Sequence, residues 1–95
     1  MKVIINQLVL IDGDKIPNTW SKTYESNVIP RIGDTIESSL WENPGDYKVT
    51  GVTINYDADE CYVGVERYAN VIPSDRKEEY GNIAALHGWK ANWMR

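Results

Sequence analysis

The side chains best suited to catalysis in this sequence are one thiol, Cys61, and one imidazole, His87. A thiol beside a histidine can form a nucleophilic dyad, because the imidazole accepts the thiol proton. The alternation of the surrounding residues, however, places Cys61 on the apolar face of a predicted hairpin, where a thiol is inert. His87 falls on the apolar side of a predicted helix. We therefore predict no catalytic residues and a protein that is not an enzyme.

Acidic residues cluster at two predicted turns, Asp57-Ala58-Asp59-Glu60 and Asp12-Gly13-Asp14. Carboxylate oxygens are the ligands that hard cations prefer, but neither run has the ligand spacing of a calcium-binding loop. Acidic residues are also common in turns, because their side chains hydrogen-bond to the local backbone. We predict no metal ligands and assign Asp57, Asp59 and Glu60 to a surface that could contact a partner.

The aromatic residues are unusual in kind: the chain has six Tyr, four Trp and no Phe. Rings that carry a polar atom are typical of half-buried positions and of binding hot spots. Trp20 and Trp41 have polar neighbours in predicted loops, and Tyr62 lies on the wetter face of the hairpin. Burial of the tryptophans, with Trp41 closing one end of the domain, remains an alternative. The candidate partner-binding residues are Trp20, Trp41, Tyr62, Asp57, Asp59 and Glu60.

Composition excludes several classes of function. A net charge of −4, with the basic residues scattered along the chain, argues against nucleic-acid binding. A single cysteine excludes an internal disulfide and zinc sites built on paired cysteines. No glycine-rich phosphate loop occurs, so we predict no cofactor. No apolar run is long enough to span a membrane, and the first residues do not read as a signal peptide, so we expect a cytoplasmic protein with no membrane partner.

The first half of the chain predicts three strands. Residues 2–11 are rich in β-branched residues and end at a turn signal, which indicates a strand. Residues 12–22 read as irregular because Pro17 interrupts pairing. Residues 23–29 and 35–38 predict the second and third strands, separated by a turn at Gly33. Residues 41–46 contain Asn-Pro-Gly-Asp and predict a loop.

The best-defined element is an antiparallel hairpin from about Tyr47 to about Tyr68. The apolar alternation changes phase at Gly51, which predicts a β-bulge. The turn at residues 57–60 then pairs Tyr56 with Cys61, Ile54 with Val63 and Val52 with Val65. These apolar pairs would share one face and leave Thr53, Asn55, Tyr62 and Glu66 on a wet face.

Residues 73–95 predict a short or broken helix with Ser74 as its cap. Its apolar side would gather Tyr80, Ile83, Leu86, His87, Trp93 and Met94. Ninety-five residues make one domain. The fold class we predict is mainly β: a five-stranded antiparallel SH3-like barrel, or a strongly bent sheet, over residues 1–72, with a short C-terminal helix packed on it.

Residues 28–36, Val-Ile-Pro-Arg-Ile-Gly-Asp-Thr-Ile, are followed by Tyr-Lys-Val-Thr-Gly-Val at residues 47–52. This sequence resembles small uncharacterised proteins of phages and prophages, in which a Pro-Arg-x-Gly-Asp turn leads into a Tyr-x-Val hairpin. The resemblance covers residues 28–66. It implies an SH3-like barrel and an accessory protein of a mobile element, and it supplies no catalytic residues.

Two functions remain open. The first is a non-enzymatic protein-binding module, such as a phage or prophage accessory protein or inhibitor, whose acidic surface would suit a basic target. The second is a structural or assembly subunit of a virion or other oligomer. The sequence leaves the oligomeric state open, although an unprotected sheet edge would allow self-association.

Overall fold

A computed structural model describes residues 1–42 and 44–94 of the chain. Asn43, which belongs to the predicted loop 41–46, and the terminal Arg95 lie outside the described residues. In chain order the elements are β1 (Lys2–Val9), β2 (Asn18–Glu25), β3 (Thr35–Glu37), β4 (Asp46–Asn55), β5 (Glu60–Val65), a 3-10 turn (Ser74–Arg76), α1 (Lys77–Leu86) and β6 (Lys90–Ala91).

The described residues form one six-stranded sheet in the order β3-β4-β5-β1-β2-β6. Neighbouring strands are antiparallel except β1 and β5, which are parallel, so the sheet is mixed. It ends at β3 and β6 and, over this part of the chain, is not closed into a barrel. The predicted mainly β fold with a short C-terminal helix is confirmed. The five-stranded antiparallel barrel is not, because local patterns reveal hairpins but not the parallel pairing of distant strands.

The first predicted strand is confirmed, but the second begins earlier than expected. β2 starts at Asn18, inside the segment predicted to be irregular, and pairs along its length with β1. Trp20 therefore lies in a strand rather than in a loop. The polar residues Thr19 and Ser21 concealed this strand, because side chains alternate between faces and these two lie opposite the buried Trp20.

The hairpin of β4 and β5 carries the predicted bulge, because the pairing shifts between Val49 and Gly51. The predicted register is wrong by two residues: Ile54 lies opposite Cys61, and Val52 lies opposite Val63. The turn occupies residues 56–59, where Asp59 has φ 56° and donates its N–H to the carbonyl of Tyr56. A shift of two residues keeps every side chain on its predicted face.

The core lies on one face of the sheet. Alternate residues of β1 and β5 are buried there, and Cys61 is fully buried as predicted. Ile72 and Ala84 cover the sheet from the C-terminal part of the chain. The opposite face is the wet one, and Thr53, Asn55, Tyr62 and Glu66 are exposed, as expected from the hairpin alternation.

The C-terminal segment is only partly helical. Ser74 begins the 3-10 turn and makes no capping side-chain hydrogen bond, so its predicted role is wrong. The helix α1 ends at Leu86, and Gly88, with φ 82°, turns the chain back so that β6 pairs with Trp20 and Ser21 of β2. Trp93 and Met94 thus lie beyond the helix rather than on its apolar side.

Candidate protein-binding surface

Trp20 and Trp41, two of the candidate contact residues, are buried at 1% and 3% exposure. Both indole N–H groups donate to the same acceptor, the side-chain Oε1 of Gln7, at 2.7 and 3.0 Å. Gln7 is itself 1% exposed, and its Nε2 donates to the carbonyl of Glu66 at 2.9 Å. The sequence left open whether these tryptophans are exposed or buried; both belong to the core, and neither presents its ring at the surface.

The other two tryptophans anchor the C-terminal segment. Trp89 is buried and donates its N–H to Ser38 Oγ at 3.0 Å, while Trp93 donates to the carbonyl of Lys77 at 2.9 Å. The rings of Trp41 and Trp89 lie 5.3 Å apart, and those of Trp20 and Trp93 lie 6.2 Å apart. We call the four tryptophans, Tyr47, Tyr68 and Gln7 the aromatic cluster. It joins the sheet, the loop after β3 and the C-terminal residues.

The remaining candidate residues lie together at the end of the hairpin. Tyr62 is 41% exposed, Asp57 and Asp59 are exposed, and Glu60 is half-buried. Sequence reasoning missed Tyr56, which is the first residue of the turn and is 77% exposed. We call these five residues the hairpin end. Two tyrosine rings and three carboxylates are thus available to a partner within one turn and its flanking strands.

The exposure of Tyr56 could have been predicted, because this residue directly precedes the acidic residues of the turn. Val52 and Ile54 point to the same side of β4, and exposure rises towards the turn, from half-buried Val52 to 38% for Ile54 and 77% for Tyr56, the first residue of the turn. The buried cluster ends before the hairpin does. Apolar alternation marks a face of a strand, whereas the extent of the core decides how far along that face burial reaches.

The carboxylates of the hairpin end have few internal partners. The Tyr62 hydroxyl donates to Glu60, and this hydrogen bond raises the pKa of Tyr62. The amino terminus of Met1 lies 3.9 Å from Asp59 and 3.5 Å from Glu25. No ion pair of Asp57 occurs in the described part of the chain. The hairpin end therefore presents net negative charge around exposed rings.

The two residues suited to catalysis have other roles in the structure: Cys61 is part of the core, and His87 contacts the loop after β3. Burial raises the pKa of the Cys61 thiol, which disfavours the nucleophilic thiolate. His87 lies at the end of α1, where its Nδ1 is 2.9 Å from Ser39 Oγ. The described residues contain no group of three or more histidine, cysteine, aspartate or glutamate side chains placed to hold a metal ion.

A cleft of about 280 Å³ opens between α1, the segment after β5 and the loop after β3. Its polar lining includes Glu42, Asn70, Arg76 and His87. Arg76 binds Glu79 through two nitrogens, at 2.8 and 3.1 Å, and lies over the ring of Tyr80. Arg76 and His87 thus have partners within the chain, whereas Glu42, which also lines the cleft, makes no ion pair among the described residues.

No helix among the described residues is long and apolar enough to cross a membrane. No family model, curated protein or solved structure matches this chain.

Proposed function

We propose that this chain is a small non-enzymatic protein-binding module and that the hairpin end is its contact surface. The observation that carries the proposal is the exposure of Tyr56 and Tyr62 beside Asp57, Asp59 and Glu60. All four tryptophans, by contrast, donate their indole N–H to acceptors within the chain.

The chemistry of the hairpin end favours a basic protein partner. Tyrosine rings supply large contact area at low entropic cost, and carboxylates at the rim attract and orient a positively charged surface. The overall charge of −4 acts in the same direction. A nucleic-acid partner is disfavoured because the same charge would repel phosphates.

The resemblance of residues 28–66 to small phage and prophage proteins supports a more specific proposal. The module would be a cytoplasmic accessory protein or inhibitor that occupies a basic surface of a host protein. The alternative is a structural or assembly subunit of a virion or other oligomer. The part of the β4 edge that no described residue pairs with favours this alternative.

Photo-crosslinking from the hairpin end tests the proposal. A benzophenone amino acid replaces Tyr62 in one chain and Tyr24 in a matched control, and both are expressed and irradiated in the producing cell. Tyr24 lies in β2 with a similar exposure, 37% against 41% for Tyr62. We expect a discrete adduct with another protein from position 62 and none from position 24. Adding Asp57→Asn and Asp59→Asn should weaken the adduct, as should raised salt in a lysate.

Equal adducts from both positions, or none from position 62, would overturn the proposal. Thermal unfolding of the double asparagine variant serves as the folding control. Because Asp57 and Asp59 are exposed, their substitution should change the free energy of unfolding by no more than about 0.5 kcal/mol.

A further inference from the structure

The outer edge of β4 is only partly covered. β3 pairs with Asp46, Tyr47 and Lys48, and the turn at residues 31–34 adds two backbone hydrogen bonds at Val49. From residue 50 to Tyr56, where the hairpin turn begins, no described residue pairs with this edge. We call residues 50–56 the free stretch.

The alternation of hydrogen bonds shows which backbone groups of the free stretch are unpaired. Glu66 donates its N–H to the carbonyl of Lys48, so that pair is hydrogen-bonded towards β5. Beyond the bulge, Thr53 opposite Tyr62 and Asn55 opposite Glu60 continue this series. The N–H and C=O groups of Val52 and Ile54 therefore point outwards, away from β5.

The free stretch has only one of the features that protect sheet edges. Natural edge strands carry charged residues or proline, contain a bulge, or are very short, and here only the bulge between Val49 and Gly51 is present, at one end of the stretch. Residues 50–56, Thr-Gly-Val-Thr-Ile-Asn-Tyr, contain neither charge nor proline. The other edges differ: β3 has three residues, and the uncovered part of β2 carries Lys22 and Glu25.

We propose that the free stretch binds the free stretch of a second copy of this chain, as an antiparallel strand pair about a two-fold axis. The turn at residues 31–34 blocks one end and the hairpin turn ends the other, so the pairing is limited to residues 50–56. Two-fold symmetry then places the midpoint, Thr53, opposite itself. Val52 lies opposite Ile54 of the second copy, and these two residues carry the outward backbone groups, so each such pair exchanges two hydrogen bonds.

Side chains and charges are compatible with this pairing. Val52, Ile54 and Tyr56 of both copies form one apolar stripe in this pairing. Ile54 and Tyr56 are 38% and 77% exposed in the single chain, and both fractions decrease when the two copies pair. At each end Asp57 of one copy approaches Arg31 and Lys48 of the other. Within residues 1–42 and 44–94, neither cation makes an ion pair. The two chains of charge −4 therefore meet along an uncharged strand with opposite charges at its ends.

Placing like or opposite charges at the two-fold axis tests the proposal. Thr53→Lys places two lysines opposite each other, and Thr53→Glu places two glutamates there. We expect each variant to raise the dimer dissociation constant by about tenfold or more. An equimolar mixture should form the mixed dimer as tightly as the native chain or tighter, as measured by sedimentation equilibrium. Thr53 is exposed, so both variants should fold; Thr23→Lys, on the edge of β2, is the matched control and should dimerise like the native chain.

Cross-linking tests the register. Thr53 is a non-hydrogen-bonded position in the proposed pair, where Cα atoms lie about 4.5 Å apart, a distance that a disulfide can span. Thr53→Cys should oxidise to a covalent dimer, whereas Thr23→Cys should not. A native chain that remains monomeric at about 1 mM, or a mixture that fails to restore the dimer, would overturn the proposal. The two proposed surfaces share Tyr56 and Asp57, but the readouts are separate. Photo-crosslinking from position 62 detects an adduct with a different protein, and the dissociation constant reports the dimer, so the two proposals can fail separately.

Discussion

The aromatic cluster and the hairpin end use similar residues for opposite purposes. In the cluster, the tryptophan N–H groups find acceptors inside the protein, and the rings of Trp41 and Tyr47 lie 4.8 Å apart in an edge-on contact. At the hairpin end, the Tyr62 hydroxyl is bonded at the surface to Glu60, and the ring of Tyr56 is 77% exposed. A ring with a polar atom is buried only where the interior supplies that atom with a partner.

The side chain of Gln7 explains why Trp20 and Trp41 can be buried. A buried amide has an acceptor oxygen with two lone pairs, so one side chain can satisfy two indole N–H groups. Among the described residues no buried side-chain nitrogen or oxygen lacks a partner. The cluster can therefore bury polar rings without leaving an unpaired group, whereas the hairpin end has no equivalent of Gln7.

The boundary between the hydrophobic core, which contains the tryptophans of the aromatic cluster, and the hairpin end runs along β5. Cys61 and Val63 face the core and are fully buried, while Tyr62 between them faces water. One strand thus contributes to both the core and the hairpin end, because its side chains alternate between faces.

Gln7→Met should give the largest effect, because it removes the shared acceptor while keeping similar volume. Trp20 and Trp41 would each be left with a buried, unpaired N–H, and we expect the free energy of unfolding to fall by about 3 kcal/mol or more. Urea unfolding followed by tryptophan fluorescence measures this loss. Asn6→Met, on the other face of β1, is the control and should change stability by about 0.5 kcal/mol or less. A loss below about 1 kcal/mol for Gln7→Met would show that the cluster does not depend on this residue.

Gly81→Ala should have an intermediate effect. A Cβ at this position would lie 2.5 Å from Met94 Cγ and 2.9 Å from Trp93 Nε1. Alanine favours a helix over glycine by about 1 kcal/mol, but the displacement of Trp93 should outweigh this and destabilise the protein by about 1 kcal/mol net. Asn82→Ala, at an exposed position of the same helix, should instead be neutral or slightly stabilising. Thermal unfolding compares the two, and a stabilised Gly81→Ala would contradict the close contact.

We expect the smallest effect for the pH dependence of stability that Cys61 causes; this residue lies at the boundary between the core and the hairpin end. Burial raises the pKa of its thiol in the folded chain, so its contribution to stability is complete below the unfolded pKa of about 8.5. That contribution is lost as pH rises through the folded pKa. The stability difference between the native chain and Cys61→Ala should therefore shrink above about pH 8.5. Tyr47, whose pKa burial also raises, is present in both chains and cancels. Urea unfolding between about pH 7 and pH 10 measures the difference, and a constant value would show that the thiol ionises equally in both states.

Local pattern predicted much of the sheet. The alternation of residues 61–65 predicted the buried face of β5 and the burial of Cys61, and the phase change at Gly51 predicted the bulge. The register failed because the turn occupies residues 56–59 rather than the predicted 57–60, and a turn displaced by one position shifts the cross-strand pairing by two residues. The start of β2 was misplaced because polar residues dominate its composition. β6 was assigned to the helical segment because two residues are too few to show the alternation of a strand.

The sequence by itself determined which residues share a strand and a face, because alternation is a property of the extended backbone. Only the tertiary structure decided which aromatic residues are buried. Trp20 and Trp41 have polar neighbours in the sequence, and they are buried because Gln7, 13 and 34 residues away, offers both of them one acceptor. The hairpin end stays exposed because β4 and β5 extend beyond the core that covers their inner halves.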